Sequence, residues 1–252
     1  MTETIFMIHG MWGGGHLWEN YRSFFGEKGY TCISPTLRYH DVSPADPPDP
    51  RLGTTSLLDY AADLETQIRS LNEAPVVMGH SMGGILAQIL AGRGMARKLV
   101  LLTPASPRGI MAIKWSVLKS FRSALLRWGF WKRPHRPTFE EAVYSMMGEV
   151  PPGERRSAYD KFVFESGRAA AEIGFWLFDG RKASHVDEMK VTCPVLVVAG
   201  SRDRITPAAV VRQVARKYKA TYKEFPEHAH WVLGEPGWQD VAGFVHDWLR
   251  GG

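Results

Sequence analysis

Cysteine is scarce in this chain of 252 residues: Cys32 and Cys193 are the only two. That excludes a disulfide framework and a cysteine-built metal cluster, and both read as separate buried thiols. No apolar run reaches the roughly 18 residues that a membrane helix needs. The N-terminus, MTETIFMIHG, lacks the basic start and the apolar length of a secretory signal. The expectation is a soluble, cytoplasmic protein. Acidic residues are missing from one long window. Between Arg108 and Arg136 there are eight basic side chains and no carboxylate, so this stretch carries +8 while the whole chain carries +5.

What is present is enough apolar material for a large core, since 44% of the residues are hydrophobic. A chain of this length buries about 70% of its unfolded surface and needs no metal or disulfide to hold it. Short runs rich in β-branched and other apolar residues read as strands: Thr4 to Ile8, Tyr30 to Ile33, Val76 to Met78, Lys98 to Leu102, Val195 to Ala199 and Thr221 to Phe225. Helical periodicity lies between or after them, at Leu57 to Leu71, Met82 to Arg93, Ala208 to Tyr218 and Trp238 to Leu249. Alternating strands and helices predict an α/β fold with a mostly parallel central sheet flanked by helices.

The alternation stops at about residue 104 and resumes after 187. In between, four helices are predicted: Ile113 to Arg127, Phe139 to Met147, Arg155 to Gly167 and Ala169 to Leu177. This divides the chain into a core of 1–103 and 188–252 with a helical insertion at 104–187. At 100° per residue, Val117, Leu118, Phe121, Leu125 and Trp128 share one face of the first of these helices, opposite Lys119, Arg122 and Arg127. A basic amphipathic helix either packs on its own protein with its charged face in water or makes weak contact with an anionic lipid surface. No nucleic-acid motif accompanies the basic window, so nucleic acid is not an expected partner.

Chemistry concentrates at Gly79-His80-Ser81-Met82-Gly83, which follows a predicted strand and precedes a predicted helix. A serine at such a bend is lifted out of the sheet, and the helix start presents an oriented N–H and a favourable dipole. A helix-capping serine in a glycine-rich turn is the alternative reading.

With that setting the chain resembles the serine α/β-hydrolases, esterase- and lipase-like enzymes with a helical cap, over essentially its whole length. The resemblance implies the α/β-hydrolase fold and assigns three catalytic residues in the order nucleophile, acid, histidine. Ser81 is the nucleophile. Asp203, in the loop after Val195 to Ala199, is the acid; its alternatives are a helix cap or a surface ion pair with Arg202 or Arg204. His230 is the base, with Ala229 where the family has glycine. His228 is the alternative base and Asp187 the alternative acid. The run His9-Gly10-Met11-Trp12-Gly13-Gly14-Gly15 resembles the family's early oxyanion turn, so the backbone N–H groups of Met11 and Met82 are the expected oxyanion donors. His9 itself reads as a turn-stabilising histidine.

The resemblance thus implies covalent acyl transfer with no cofactor and no metal. The expected substrates are small to medium lipophilic esters, and Trp12, Trp115, Trp128, Phe175, Trp176 and Trp231 are the substrate-binding candidates. Lactone and thioester hydrolysis share this logic; carbon–carbon bond hydrolysis, perhydrolysis and hydroxynitrile lyase activity share the fold. A noncatalytic protein enclosing a hydrophobic ligand is the alternative of a different kind. The oligomeric state is open.

Overall fold

In the computed structural model, which describes residues 3–251, six strands form one sheet in which every neighbouring pair is parallel. In chain order the elements of the first part are β1 (Thr4–Ile8), α1 (Glu19–Glu27), β2 (Thr31–Ile33), α2 (Leu57–Arg69), β3 (Val76–His80), α3 (Met82–Gly92) and β4 (Lys98–Leu102). The part between the predicted core halves holds α4 (Trp115–Ser120), α5 (Arg122–Leu125), β5 (Pro134–His135), α6 (Phe139–Ser145), α7 (Arg155–Asp160), β6 (Glu165–Ser166) and α8 (Gly167–Gly174). Then come β7 (Val195–Gly200), α9 (Ala208–Lys217), β8 (Thr221–Phe225) and α10 (Trp238–Arg250). The sheet order is β2-β1-β3-β4-β7-β8.

Period-two alternation divides the strand side chains between two buried layers. Phe6, Ile8, Val77 and Leu101 face a cluster with Leu64 of α2, Leu86 of α3 and Val211 of α9. Ile5, Met7, Met78 and Val100 face the other way, against Tyr21 and Phe25 of α1 and Val241 and Val245 of α10. Both faces are therefore dry, which is why β3 and β7 are apolar almost throughout. The predicted strands match, with β3 running on to His80. Helix α1 was not predicted; the spacing of Tyr21 and Phe25, four apart and both buried, is the signal for it. No helix among the described residues is long and apolar enough to cross a membrane.

The expected helices of the intervening part need correction. The first, Ile113 to Arg127, breaks at Phe121, whose backbone (φ −115°, ψ 17°) is not helical, leaving the short α4 and α5. The break destroys the common phase that put Trp128 on the apolar face, and Trp128 is exposed. The third, Arg155 to Gly167, ends at Asp160. Its last residues instead form β6, which pairs antiparallel with β5. Ser166 then caps α8 by accepting a hydrogen bond from the Ala169 N–H at 3.1 Å. Gly167 is required at this start because a Cβ there would lie 1.8 Å from the Phe130 carbonyl oxygen.

Buried carboxylates fasten the later half of this part to the core. Glu172 accepts from the Ser56 hydroxyl and the Leu57 N–H, at the N-terminus of α2 where the helix dipole favours an anion. Glu165 accepts from the Tyr60 hydroxyl at 2.8 Å and pairs with the His40 ring at 3.0 Å, all three groups being buried. Burial alone would lower the His40 value, but the Glu165 charge and their hydrogen bond outweigh it and raise it. Burial would likewise raise Glu165, yet His40 and the bonds from Ser166 and Tyr60 hold it below its ordinary value.

Candidate active site

The turn from β3 into α3 forces Ser81 to φ 53°, ψ −120°, a left-handed conformation that a non-glycine residue adopts only at a cost of about 1–3 kcal/mol. Two glycines make the bend sterically possible. A Cβ on Gly79 would meet the Gly83 carbonyl oxygen at 2.2 Å, and one on Gly83 would meet the Ile8 carbonyl oxygen at 2.0 Å. The chain therefore doubles back tightly and projects Ser81 beyond the strand ends, the usual place for ligands in parallel sheets.

His230, in the loop before α10, lies with Nε2 2.9 Å from the Ser81 hydroxyl oxygen. Its Nδ1 donates to the Asp203 carboxylate at 2.8 Å, so Nε2 is left to accept from Ser81 when the ring is neutral. Asp203 follows β7 and is itself held: one oxygen accepts from the N–H groups of Ile205 and Thr206, and the other lies 2.7 Å from the Thr206 hydroxyl. Burial would raise this carboxyl, but the neighbouring His230 ring and the Thr206 hydrogen bonds outweigh it and keep the value below normal. The aspartate thus stays charged in a dry place.

Two further groups position the His230 loop. The His80 Nε2–H donates to the His230 carbonyl at 2.9 Å, and the Thr103 hydroxyl donates to the same oxygen at 3.2 Å. Burial, with the nearby His230 ring, pushes the His80 value down to about 3, so it remains a neutral donor. Thr103 reaches this oxygen from a left-handed backbone (φ 42°) at the end of β4. Sequence reasoning missed both; a histidine at the end of an otherwise apolar buried strand is the available signal for His80.

Gly10 passes directly against the serine, since a Cβ there would lie 2.9 Å from the Ser81 Cβ, and Met11 follows it in the chain. Met82 is the first residue of α3, so its N–H has no acceptor within the helix. Ser81, Met11 and Met82 share the lining of one cavity. His9 stands apart: its ring bonds the Gly10 carbonyl and accepts from the Leu37 N–H, and burial lowers its value to about 3. It holds the turn as a neutral ring.

The alternatives are placed elsewhere. His228 turns to Glu235 at 2.9 Å and is buried against it. Asp187 caps the turn at Glu188–Lys190 by accepting from the Met189 N–H. Arg202 pairs with Glu149 and Glu227, not with Asp203.

The cavity over Ser81 measures about 100 Å³ and is apolar. Of the six aromatic candidates, Phe175 lines it. Trp12 is buried in a separate cluster with Met146 and Phe162, and Trp231 stacks on Phe162 with ring centroids 6.0 Å apart. Trp176 lies under the Arg108 guanidinium, while Trp115 and Trp128 point into solvent. The wall is instead built by Val117, Leu118, Phe121 and Leu125, the apolar face read from the sequence, together with Phe130. A wider groove of about 580 Å³ lies outside Phe130 and Phe175 but does not touch Ser81.

The ABHD8 protein of Bos taurus is 24% identical over 263 residues, covering 98% of this chain and 56% of its own. The chain spans about half the length of the curated relatives it matches. Among solved structures, the methylesterase MES16 from Arabidopsis superposes with a TM-score of 0.72 at 11% identity, covering 99% of both chains. A pyrethroid hydrolase from Sphingobium faniae gives 0.70 at 18% identity, covering 100% of this chain and 98% of its own. These likenesses show the fold. The model of the alpha/beta hydrolase family matches residues 5–243, from β1 into α10. By that match and by its sheet, the chain belongs to the alpha/beta hydrolase family.

Proposed function

We propose that the protein is a carboxylic ester hydrolase that works through an acyl-enzyme on Ser81. The observation carrying this reading is the unbroken chain of hydrogen bonds from Ser81 through His230 to Asp203 at an apolar cavity. His230 takes the Ser81 proton as the hydroxyl oxygen attacks the substrate carbonyl, and Asp203 stabilises the charged ring. The backbone N–H groups of Met11 and Met82 receive the oxyanion. His230 then gives its proton to the leaving alcohol. In the second half it activates a water, which attacks the acyl carbon and releases acid and free Ser81. His80 and Thr103 are positioning residues that keep the His230 loop in register.

Residues 104–187 act as a cap that shapes the substrate space. Among the described residues no charged side chain lines the cavity, which favours neutral lipophilic esters. Its volume is small against the roughly 300–1,000 Å³ of ordinary ligand sites, so short or narrow acyl groups fit best with the cap as it stands. Two structural neighbours are named a methylesterase and a pyrethroid hydrolase, and these names support a hydrolase, the first of them an esterase. The test is hydrolysis of an acyl-chain series of aryl esters, with matched lactones and thioesters, by the purified protein and by Ser81→Ala. Ester turnover that vanishes in the variant is expected. A preference for lactones or thioesters would move the substrate class, and undiminished turnover by Ser81→Ala would remove the mechanism.

A further inference from the structure

The basic window left unused by the chemistry lies around the opening of the cavity. Ile113 and Phe175 line the cavity and are also exposed, which marks where it reaches the surface. Apolar side chains stand out around that mouth. Trp115 is 79% exposed, Leu126 80%, Trp128 87% and Phe178 86%. Trp128 and Phe178 belong to a clustered aromatic patch, while Trp115 and Leu126 lie close in the chain to the cavity-lining Ile113 and Leu125. Trp128 packs edge-on to Trp131, Phe130 touches Phe175, and Trp131, Phe175 and Phe178 share the outer groove. Lone exposed apolar residues are ordinary, but a clustered rim of this kind marks an interaction surface.

Charge identifies the partner. Lys114, Arg122, Arg127, Lys132 and Arg133 are exposed, and among the described residues none makes a side-chain hydrogen bond or ion pair. The carboxylates of the groove, Glu172 and Asp179, are buried and bonded within the protein, Glu172 to Arg168 and Asp179 to the Ala183 N–H, so they add no exposed negative charge. Protruding tryptophan and leucine side chains among unpaired cations do not need a shaped partner; they suit a fluid surface that is anionic outside and apolar beneath. We infer that this rim docks on an anionic lipid surface, with Trp115, Leu126, Trp128 and Phe178 entering the interface and the basic residues resting on the headgroups. Delivery of lipophilic esters from that surface into the cavity is a consequence that rests on the proposed hydrolase reading. Docking itself does not.

The experiment measures binding without any ester. The full chain is sedimented with vesicles of phosphatidylcholine mixed with phosphatidylglycerol, and with phosphatidylcholine alone, while tryptophan fluorescence is recorded. Preferential association with the phosphatidylglycerol vesicles is expected, with a blue shift, and with loss of binding at high salt. The double variant Arg122→Glu/Arg127→Glu is expected to bind at least about tenfold more weakly, because each basic residue near such a surface contributes roughly 1 kcal/mol. Trp115→Ala/Trp128→Ala should also weaken binding and remove the blue shift, and unchanged melting temperatures show that both variants fold. Ser81→Ala should bind like the parent, which separates failure of docking from failure of the hydrolase reading. A parent protein indifferent to phosphatidylglycerol, or a charge-reversed variant that binds equally well, would overturn the inference. So would binding to single-stranded DNA in place of vesicles.

Discussion

The sheet-borne site and the part that covers it are built on opposite physical plans. Around Ser81 the backbone is fixed by contacts that tolerate almost nothing, down to glycines that meet neighbouring carbonyl oxygens within about 2 Å if a Cβ is added. The covering part divides further. Its later half is fastened by Glu165 and Glu172 through buried hydrogen bonds, whereas α4 and α5 give the cavity a wall of apolar side chains and leave Trp115, with Trp128 just beyond them, exposed to water. In the proposed reaction, the tightly fixed backbone lies where charge would develop and the adaptable packing where a substrate would enter.

The largest test of that contrast is at the base. His230→Ala should lower kcat for an aryl ester by roughly a thousandfold or more, as loss of a triad histidine does elsewhere. His228→Ala should leave turnover within about tenfold, because its ring serves Glu235 rather than Ser81. Loss confined to His228 would reverse the two assignments.

Next comes the fastening of the covering part. Glu165→Gln breaks a buried charged pair and should cost about 3–5 kcal/mol of stability, read from denaturant unfolding. The effect should depend on pH. The His40 value is raised above its ordinary 6.5, so its contribution is complete below that pH and is lost as pH rises through the raised value. The Glu165 value is depressed below its ordinary 4.5, so its contribution is complete above that pH and is lost as pH falls through the lowered value. The stability difference between parent and variant should therefore be greatest between pH 4.5 and 6.5, and a difference constant from pH 4 to 9 would contradict the pairing.

Smaller effects belong to the adaptable half. Phe175→Ala opens the cavity mouth and should raise the ratio of kcat/KM for longer over shorter acyl chains by about tenfold, within the range that single methylenes supply in apolar pockets. Trp115→Ala should change stability by less than about 0.5 kcal/mol, since its ring is in water. A larger loss would mean that α4 packs more firmly than its exposure implies.

The same contrast decides what the sequence makes legible. The strands are readable because burial on both faces demands apolar runs, and Ser81 because strand, glycine, serine, glycine and helix occur within a few consecutive residues. His230 stands 149 positions from Ser81, and only the resemblance to the family, through its residue order and its late histidine loop, points to it. The break at Phe121, the β5–β6 ribbon and the inward Glu165 have no local signature. The inward Glu165 depends on Tyr60 and His40, distant in the chain, and the chain just after the ribbon on the close approach of Gly167 to the Phe130 carbonyl. Periodicity places Val117, Leu118, Phe121 and Leu125 correctly on the face that lines the cavity, but carries that face on to Trp128, which lies beyond the break and is exposed.

The most direct measurement of the central claim is mass spectrometry of the protein after reaction with a serine-directed fluorophosphonate. The account predicts one covalent adduct on the peptide carrying Ser81, with parallel loss of ester turnover, and no adduct on Ser81→Ala or on His230→Ala under the same exposure. An unmodified Ser81 in protein that still hydrolyses esters, or an adduct on another residue that abolishes turnover, would contradict it.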